Sequence, residues 1–344
     1  MWKNLALTPL TIAIVCVGGC TNQPTDKQLE VWRKEAMSKD KSLRAYARNA
    51  EIVANNTKKA QQSQWNLVIQ GETTTGKSLN FNWQQLQTLA TNHLKTTDPL
   101  DILHSNEIFD FRGVPVAVLL QQFAVASHVT DVTFVSFDSY YTTLSLKDLW
   151  QYPITLAIAK NNKPIARSQG GPLYLVFPYT QYPQLKQKYD ATNWAFYVSN
   201  IIVGTEPVKL QVNQRQVNLA TLDQLPQVTL EQTVSYRISW PSGKVKLYGV
   251  RLRDIFSSLP EPLPAQGGVI IRGKAPFYED APVRLSTKDL SECDILLVSR
   301  WGESRELIPA KMGGPLTLAF SSQCPARISQ SRWVTFVEEL TTTP

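Results

Sequence analysis

An eight-residue stretch, Gly71–Ser78, has the spacing of a phosphate-binding loop. It reads Gly-Glu-Thr-Thr-Thr-Gly-Lys-Ser and satisfies the pattern GxxxxGK[ST] at every position. That chemistry requires a helix that begins at the lysine, so that its amide groups and its dipole face the phosphates. Residues 79–83 instead alternate apolar and polar side chains as a strand does, and a helix is predicted only from about Trp83. We therefore expect a β-turn here and no nucleoside triphosphate ligand.

Residue spacing also argues against other familiar sites. The three histidines, His93, His104 and His128, form neither an HExxH motif nor any zinc-ligand spacing. The sequence contains no GxSxG motif for a serine nucleophile. The net charge of +7 comes from scattered residues and not from a basic stripe, so no nucleic-acid partner is expected.

Four short blocks occur twice, in the same order and at similar spacing. Residues 111–120, 144–149, 165–177 and 193–198 match residues 247–256, 285–290, 307–320 and 332–337. The first block of each copy is expected to be a glycine turn, at Gly113 and Gly249, that leads into an amphipathic helix. Such self-similarity predicts one domain present twice, which we place at 63–205 and 206–344.

The first copy carries Gly-Val-Pro at 113–115, Asp-Ser-Tyr at 138–140, Gly-Gly-Pro at 170–172 and a closing Trp194. This order resembles the oxidoreductase molybdopterin-binding domain, which has the sulfite-oxidase fold. The resemblance spans nearly all of copy one, and copy two resembles the family more weakly. It implies an α+β fold: a tandem duplication of a mixed-sheet, sulfite-oxidase-like domain, preceded by an N-terminal helical segment.

The resemblance also implies a ligand site, because in that family a pterin lies across a cleft formed by these motifs. Glycines let the backbone approach a flat heterocycle, a carboxylate accepts bonds from its amino groups, and an aromatic ring stacks on its face. In copy two, Glu279 and Asp280 fall near the place of Asp138, and Trp333 falls at that of Trp194. The implied ligand-binding residues of copy one are Asp138, Tyr140, Arg167, Gly170, Gly171, Pro172, Lys188 and Trp194.

Two departures from the family pattern bear on function. The family's molybdenum-ligating cysteine has no counterpart in residues 101–106 or 235–240, and no cysteine occurs from 21 to 292. The family's phosphate-anchoring arginine after Gly-Pro-Leu is replaced by Tyr174 in copy one and Thr317 in copy two. We therefore expect no metal, and at most a pterin or molybdopterin-like ligand.

The first residues have the features of an export signal with a lipidation site. A positive Lys3, an apolar run at 10–17 and Gly-Gly before Cys20 resemble the bacterial lipobox, with residues 1–19 as the signal peptide. Acylated Cys20 would anchor a periplasmic protein to a lipid membrane, the outer membrane being favoured because Asn22 is not a retention aspartate. The alternative is an ordinary signal peptide with an incidental cysteine. Residues 20–62 are predicted to be a tether followed by one or two helices.

Only Cys293 and Cys324 then remain as thiols. In an oxidising compartment an isolated pair predicts a structural disulfide, although two free buried thiols fit the sequence as well.

Three hypotheses for function follow. The leading one is a non-catalytic periplasmic lipoprotein that binds a pterin-like ligand, a membrane or envelope protein, or both. Cysteine-lacking relatives of this fold bind reduced pterins and regulate membrane-embedded cyclic-di-GMP enzymes, so the resemblance implies a transmembrane signalling partner. The second is a molybdopterin-dependent oxidoreductase with an unusual metal ligand such as His104. The third is a structural envelope assembly factor in which both clefts are vestigial.

Overall fold

The structure is a computed structural model that describes residues 65–101, 104, 106–234, 239–259, 263–276, 279, 281–329 and 334–344. The predicted signal peptide, Cys20 and the helices expected within 20–62 lie outside the described residues, as do Asp280 and Trp333. Within the described part of the chain, no helix is long and apolar enough to cross a membrane.

The first half contains ten strands and four short α-helices among its described residues. In chain order they are β1 (Asn66–Gly71), β2 (Leu79–Asn82), α1 (Trp83–Leu89), β3 (Asn92–Thr97), β4 (Ile108–Pro115), α2 (Val116–Phe123), β5 (Asp131–Ser136), β6 (Tyr141–Ser145), α3 (Leu146–Gln151), β7 (Thr155–Lys160), β8 (Lys163–Pro164), β9 (Tyr174–Val176), α4 (Leu185–Lys188) and β10 (Val198–Val203). Two 3-10 helices, Arg167–Gln169 and Ala191–Asn193, precede β9 and β10.

The second half repeats this order of strands. Its elements are β11 (Leu210–Val212), β12 (Arg215–Val217), α5 (Leu219–Asp223), β13 (Gln227–Thr233), β14 (Lys244–Arg251), α6 (Leu252–Ser257), β15 (Gly268–Gly273), β16 (Val283–Ser286), α7 (Thr287–Glu292), β17 (Ile295–Trp301), β18 (Glu306–Leu307), β19 (Thr317–Phe320), α8 (Ala326–Ser329) and β20 (Val337–Thr343). A 3-10 helix, Ala310–Met312, takes the place of Arg167–Gln169.

Each half is built from two sheets whose strand orders correspond one to one. The first half has the orders β2-β1-β10-β5-β6 and β3-β4-β7-β8, with β9 paired to β7. The second half has β12-β11-β20-β15-β16 and β13-β14-β17-β18, with β19 paired to β17. All the pairings are antiparallel except β1 with β10 and β11 with β20, where the first and last strands of a half run parallel. The predicted mixed α+β class is confirmed.

The glycines expected to form turns before the amphipathic helices lie inside strands instead, so that expectation was wrong. Gly113 belongs to β4 and Gly249 to β14, each at an irregularity in the register with the next strand. A Cβ at Gly113 would come 2.2 Å from the carbonyl oxygen of Leu156, and one at Gly249 would come 2.2 Å from that of Leu297. The glycine is needed because two backbones approach closely at a bulge, not because the chain reverses there.

The stretch with phosphate-loop spacing forms a loop between β1 and β2, and, as predicted, no helix begins at its lysine. Residues 79–82 form β2, and helix α1 starts at Trp83 behind an Asn82 cap whose side chain accepts from the amide of Gln85. The loop is bonded to the end of α2, since Thr73 Oγ1 donates to the carbonyl of Phe123 at 2.6 Å. Its lysine therefore does not start a helix, which is the feature that phosphate binding requires.

In the second half, Cys293 and Cys324 form a disulfide bond with a Cα–Cα distance of 5.2 Å. It joins the end of helix α7 to the loop after β19 and packs against the apolar core of that half.

Candidate functional site

Three segments that are distant in the sequence meet around the side chain of Tyr197. The β5–β6 turn is bonded to it through the Phe137 amide, which donates to the Tyr197 carbonyl at 2.9 Å. The Tyr197 amide donates to the carbonyl of Gly170 at 3.1 Å, and its hydroxyl donates to the carbonyl of Arg167 at 2.8 Å. Tyr197 adopts a left-handed φ of 52°, which allows its amide and its ring to reach two neighbours at once. Tyr197 was not predicted as a site residue, although an aromatic side chain occurs at this position in both copies.

The guanidinium of Arg167 lies among three aromatic rings. Its Cζ atom is 4.5 Å from the ring centroid of Trp65, 5.3 Å from that of Phe137 and 5.2 Å from that of Tyr197. Nη1 donates to the carbonyl of Gly171 at 3.4 Å, whereas Nε and Nη2 are buried with no hydrogen-bond partner among the described residues. Burial lowers the pKa of this guanidinium, and the charge of Asp138 partly opposes that effect. The cation is held by ring faces and keeps unused donors.

Asp138 supplies the carboxyl group of the site. Its Oδ1 accepts from the amide of Tyr140 at 3.2 Å. Burial raises the pKa of this carboxyl, and that effect outweighs the opposing hydrogen bonds and the charge of Arg167. The hydroxyl of Ser136, two residues earlier, is also buried without a partner in the described structure. Unused donors therefore lie close to a carboxyl whose pKa is raised by burial.

Buried polar groups without hydrogen-bond partners raise the free energy of the folded chain. A buried polar group without a hydrogen-bond partner costs about 1–3 kcal/mol, so the site gains free energy from any molecule that supplies acceptors to Arg167. The two free nitrogens of Arg167 have essentially no solvent-accessible surface in this conformation, so a ligand reaches them only after side chains move. Tyr140, Phe196 and Tyr197 around them are only partly buried. Cavities of about 350 and 140 Å³ open elsewhere on the described surface, beside Trp150 and beside Lys311.

The Gly-Gly-Pro turn is packed and does not form an open cradle, contrary to the expectation from the resemblance. Gly170, Gly171 and Pro172 are all buried. A Cβ on Gly170 would come 2.1 Å from the ring of Phe196, and one on Gly171 would come 1.8 Å from the carbonyl oxygen of Ile165. Gly170 has a φ of 94°, so this position suits glycine for its conformation as well. The glycines make room for the chain's own atoms.

Trp194, expected to stack on a ligand, lies in the core. Its side chain is 2% exposed, and its indole Nε1 donates to the hydroxyl of Tyr179 at 2.8 Å. The ring packs with four aromatic neighbours, Phe111, Tyr174, Phe177 and Tyr179, at centroid distances from 5.3 to 6.3 Å. A buried indole whose N–H is already satisfied has no face left for a ligand in this conformation.

Two other predicted residues are engaged within the chain. The hydroxyl of Tyr140 donates to the carbonyl of Thr192, which leaves its ring beside the Asp138 turn. The ammonium of Lys188 forms an ion pair with Asp148, whose side chain is only 8% exposed and also accepts from the hydroxyl of Tyr189. The structure thus brings Asp138, Tyr140, Arg167 and the glycine turn together. Lys188 pairs with Asp148 and is not part of this group.

One known protein family has a model that matches part of this chain. Residues 104–189 match the model of the oxidoreductase molybdopterin binding domain. The matched segment includes Asp138, Tyr140, Arg167 and the Gly-Gly-Pro turn, and it ends before Trp194. A search of curated proteins found no significant match.

Solved structures give a weaker comparison. The sulfane dehydrogenase SoxCD from Paracoccus pantotrophus is 13% identical with a TM-score of 0.33, and the alignment covers 81% of this chain and 79% of that chain. At this score the likeness carries no argument about fold or activity.

No cysteine occurs between residues 21 and 292, so the chain lacks the thiolate with which the family ligates molybdenum. Within the described ranges, no group of three or more His, Cys, Asp or Glu side chains could hold a metal ion. His104, the alternative ligand, is half-exposed and its Nδ1 lies 2.9 Å from Asp101. Tyr174, at the place of the family's phosphate-anchoring arginine, is 1% exposed and donates to the carboxylate of Asp98 at 3.1 Å. A neutral tyrosine hydroxyl engaged with Asp98, which also pairs with Lys160 at 2.9 Å, supplies no positive charge for a phosphate.

The counterpart surface in the second half has lost both charged groups. The Lys274 amide donates to the carbonyl of Phe336, as that of Phe137 does to Tyr197, and the Phe336 amide donates to Gly313. Following the chain from these bonds, Ala275 takes the position of Asp138 and Ala310 takes that of Arg167. The strand pairing thus puts Ala275, and not Glu279, at the position of Asp138.

Proposed function

We propose that this chain is a non-catalytic binding protein whose first half takes a small planar, pterin-like ligand at Asp138 and Arg167, without a metal. The observation that supports it is the pair of buried, unpartnered guanidinium nitrogens of Arg167 next to a carboxyl whose pKa is raised by burial. The match of residues 104–189 to the molybdopterin-binding domain supports a pterin as the ligand class.

The chemistry of a pterin edge complements these groups. Its carbonyl oxygen and ring nitrogen atoms are acceptors for Nε–H and Nη2–H of Arg167, and its amino group is a donor to the carboxylate of Asp138. The aromatic rings of Trp65, Phe137 and Tyr197 supply flat apolar surface beside the guanidinium. A ligand with both donors and acceptors in one plane would satisfy the groups that are unpaired in the free protein.

Binding can be tested by titrating the full chain with a reduced pterin, followed by calorimetry and by tryptophan fluorescence. Trp65 lies against Arg167 and should report occupancy, so Trp65→Phe should remove most of the fluorescence change while leaving the calorimetric signal. Arg167→Gln and Asp138→Asn should each weaken binding roughly 10- to 100-fold, the loss expected for a buried charge-assisted hydrogen bond.

The matched control is an exposed pair in the second half, Arg300 and Asp223, whose side chains are 2.9 Å apart. Arg300→Gln and Asp223→Asn should leave the affinity unchanged. Absence of any pterin binding, or equal affinity in the Arg167 and Arg300 variants, would contradict the proposal.

We also propose that the second half is a duplicate of the first that no longer binds the ligand. The corresponding strand orders, the recurring glycine turn and the Ala275 and Ala310 replacements support this view. A binding stoichiometry of one pterin per chain is expected, and two would exclude it.

The cellular setting is part of the proposal. We infer a periplasmic lipoprotein anchored through Cys20, with the outer membrane favoured, that presents its ligand state to a transmembrane signalling or envelope protein. The lipobox-like residues before Cys20 support the anchor. Cys20→Ser should abolish labelling by radioactive palmitate and release the protein from the membrane fraction; labelling that persists would exclude acylation at this residue.

A further inference from the structure

The two halves meet through a small apolar cluster. Val135, Tyr141 and Ile202 from the first half and Ala310 and Phe336 from the second are all buried and form one packed group. The rings of Tyr141 and Phe336 meet edge to face, with centroids 5.2 Å apart and planes at 87°. At the rim, Lys311 Nζ lies 3.2 Å from Asp131 Oδ2. Residues of β5, β6 and β10 thus rest on the 3-10 helix and glycine turn of the second half.

The surface covered in this way is the counterpart of the candidate site. Ala310 stands where the first half has Arg167, and Phe336 stands where it has Tyr197, with the same left-handed φ of 52°. A Cβ built on Gly313, the counterpart of Gly170, would lie 3.5 Å from the hydroxyl of Tyr141. The second-half surface that corresponds to the Arg167 position is therefore covered by the β5–β6–β10 sheet of the first half.

The covering sheet is the one that carries the site of the first half. Val135 and Tyr141 are paired across the β5–β6 hairpin and both point at the second half. The turn of that hairpin holds Asp138 and Tyr140. Tyr141 is buried against the second half, whereas the hydroxyl of Tyr140 donates to the carbonyl of Thr192 in the first half. One hairpin thus contacts the second half on one face and bears the site residues at its tip.

We propose that the glycine-turn surface of the second half is a docking surface for the β5–β6 hairpin, and that by binding this hairpin it positions Asp138 and Tyr140. The part that concerns the ligand rests on the proposed function. The docking itself rests on the contacts above and needs no ligand.

Two patterns of substitution agree with this role. Ala310 is 2% exposed within the cluster, and an arginine buried there would cost several kcal/mol in desolvation. Ala275 is 3% exposed and packs in the core of the second half, where an aspartate would carry a similar cost. The strand register also identifies the second-half counterpart of Val135. Val135 pairs with Asn200 across β5 and β10, and at the same place in the second half Arg272 pairs with Glu339. Arg272 and Glu339 form an ion pair at 3.1 Å, so the counterpart of the buried apolar Val135 is a charged side chain.

The test is amide hydrogen exchange on the full chain without ligand, comparing Phe336→Ala with Leu318→Ala. Leu318 is fully buried in the core of the second half and is not part of the cluster with Tyr141, so its truncation destabilises that half without touching the hairpin. In Phe336→Ala, amides of residues 136–141 should exchange at least about 10-fold faster than in the wild type, as a lost contact worth over 1.4 kcal/mol would give. Phe336→Leu, which keeps an apolar side chain, should restore most of the protection.

Equal exchange at residues 136–141 in the two alanine variants would overturn the proposal, because the lower stability of the second half would then account for the faster exchange. The pterin titration gives a second readout. Phe336→Ala should raise the dissociation constant about 5-fold or more, with Leu318→Ala close to the wild type. If the wild type binds no pterin, the proposed function fails, and the exchange measurement still decides whether the second half positions the hairpin.

Discussion

Asp138 and Arg167 show how one site can combine charge and burial without a direct ion pair. Arg167 is held by three ring faces and one carbonyl oxygen, and Asp138 by the amide of Tyr140. Two nitrogens of Arg167 lack partners and the carboxyl of Asp138 is desolvated, so each group has a free-energy cost in the folded chain. That cost is a property of individual side chains and can be measured one substitution at a time.

Substituting Asp138 should change how stability depends on pH. Because burial raises the pKa of this carboxyl in the folded state, the folded chain binds the proton more tightly than the unfolded chain does. The contribution is fully present below the ordinary aspartate range and is lost as pH rises through the raised value. Asp138→Asn removes the titration, so the variant should gain stability relative to the wild type over that interval, as urea midpoints at several pH values would show.

Asp294 provides the control of opposite sign. Its hydrogen bond with Arg251 lowers the pKa of this carboxyl, so its stabilising contribution is present near neutral pH and lost as pH falls. Asp294→Asn should therefore destabilise the chain at neutral pH. Asp138→Asn and wild-type curves that run parallel at all pH values would show that Asp138 does not titrate as expected.

At the scale of elements, local rules predicted the type of several segments correctly. The alternation after Ser78 predicted β2, and the start of α1 at Trp83 agreed with the structure because Asn82 caps that helix within the local sequence. The Gly-Gly-Pro motif follows a 3-10 helix, with Gly170 as its left-handed cap. Its burial could not be read from the sequence, because the ring of Phe196 and the carbonyl of Ile165 come from other segments.

The site itself was predicted only in part, for a related reason. Motif order brought Asp138, Tyr140 and Arg167 to attention, and the fold does place them together. The roles of Tyr197 and Trp65 depend on tertiary contacts with Arg167 that no local pattern records. Trp194 and Lys188 were misplaced because a tryptophan or a lysine near a motif looks the same whether it faces the core, a carboxylate or a ligand.

Gly113 offers a prediction for the β4–β7 pairing. An alanine there would place its Cβ 2.2 Å from the Leu156 carbonyl oxygen, so one strand must move, at a cost of about 3 kcal/mol or more. Thermal or urea unfolding of Gly113→Ala should show this loss. Gly76→Ala is the comparison: that glycine has a φ of 68° with open space around it, so only the backbone preference of about 1 kcal/mol is lost. Equal losses would mean that the strands separate easily.

At the scale of the whole molecule, removing the disulfide of the second half tests whether the two halves unfold independently. The bond between Cys293 and Cys324 closes a loop with a sequence separation of 31. In the chain-entropy model, its removal costs about 4 kcal/mol. The Cys293→Ala, Cys324→Ala double variant should lose hydrogen-exchange protection first in β17 and β19, while β3 and β4 of the first half keep theirs. Uniform loss across both halves would indicate that the chain unfolds as one cooperative unit.

The parallel pairing of first and last strands has a mechanical consequence. In each half the chain enters along β1 or β11 and leaves along β10 or β20, and these two strands lie side by side. Tension applied between residues 65 and 344 would pull the two strands of each pair in opposite directions along their length. The hydrogen bonds of a pair would then be strained together in shear and not opened one after another. A chain tethered at one end and pulled at the other would therefore resist extension until a whole strand pair gave way.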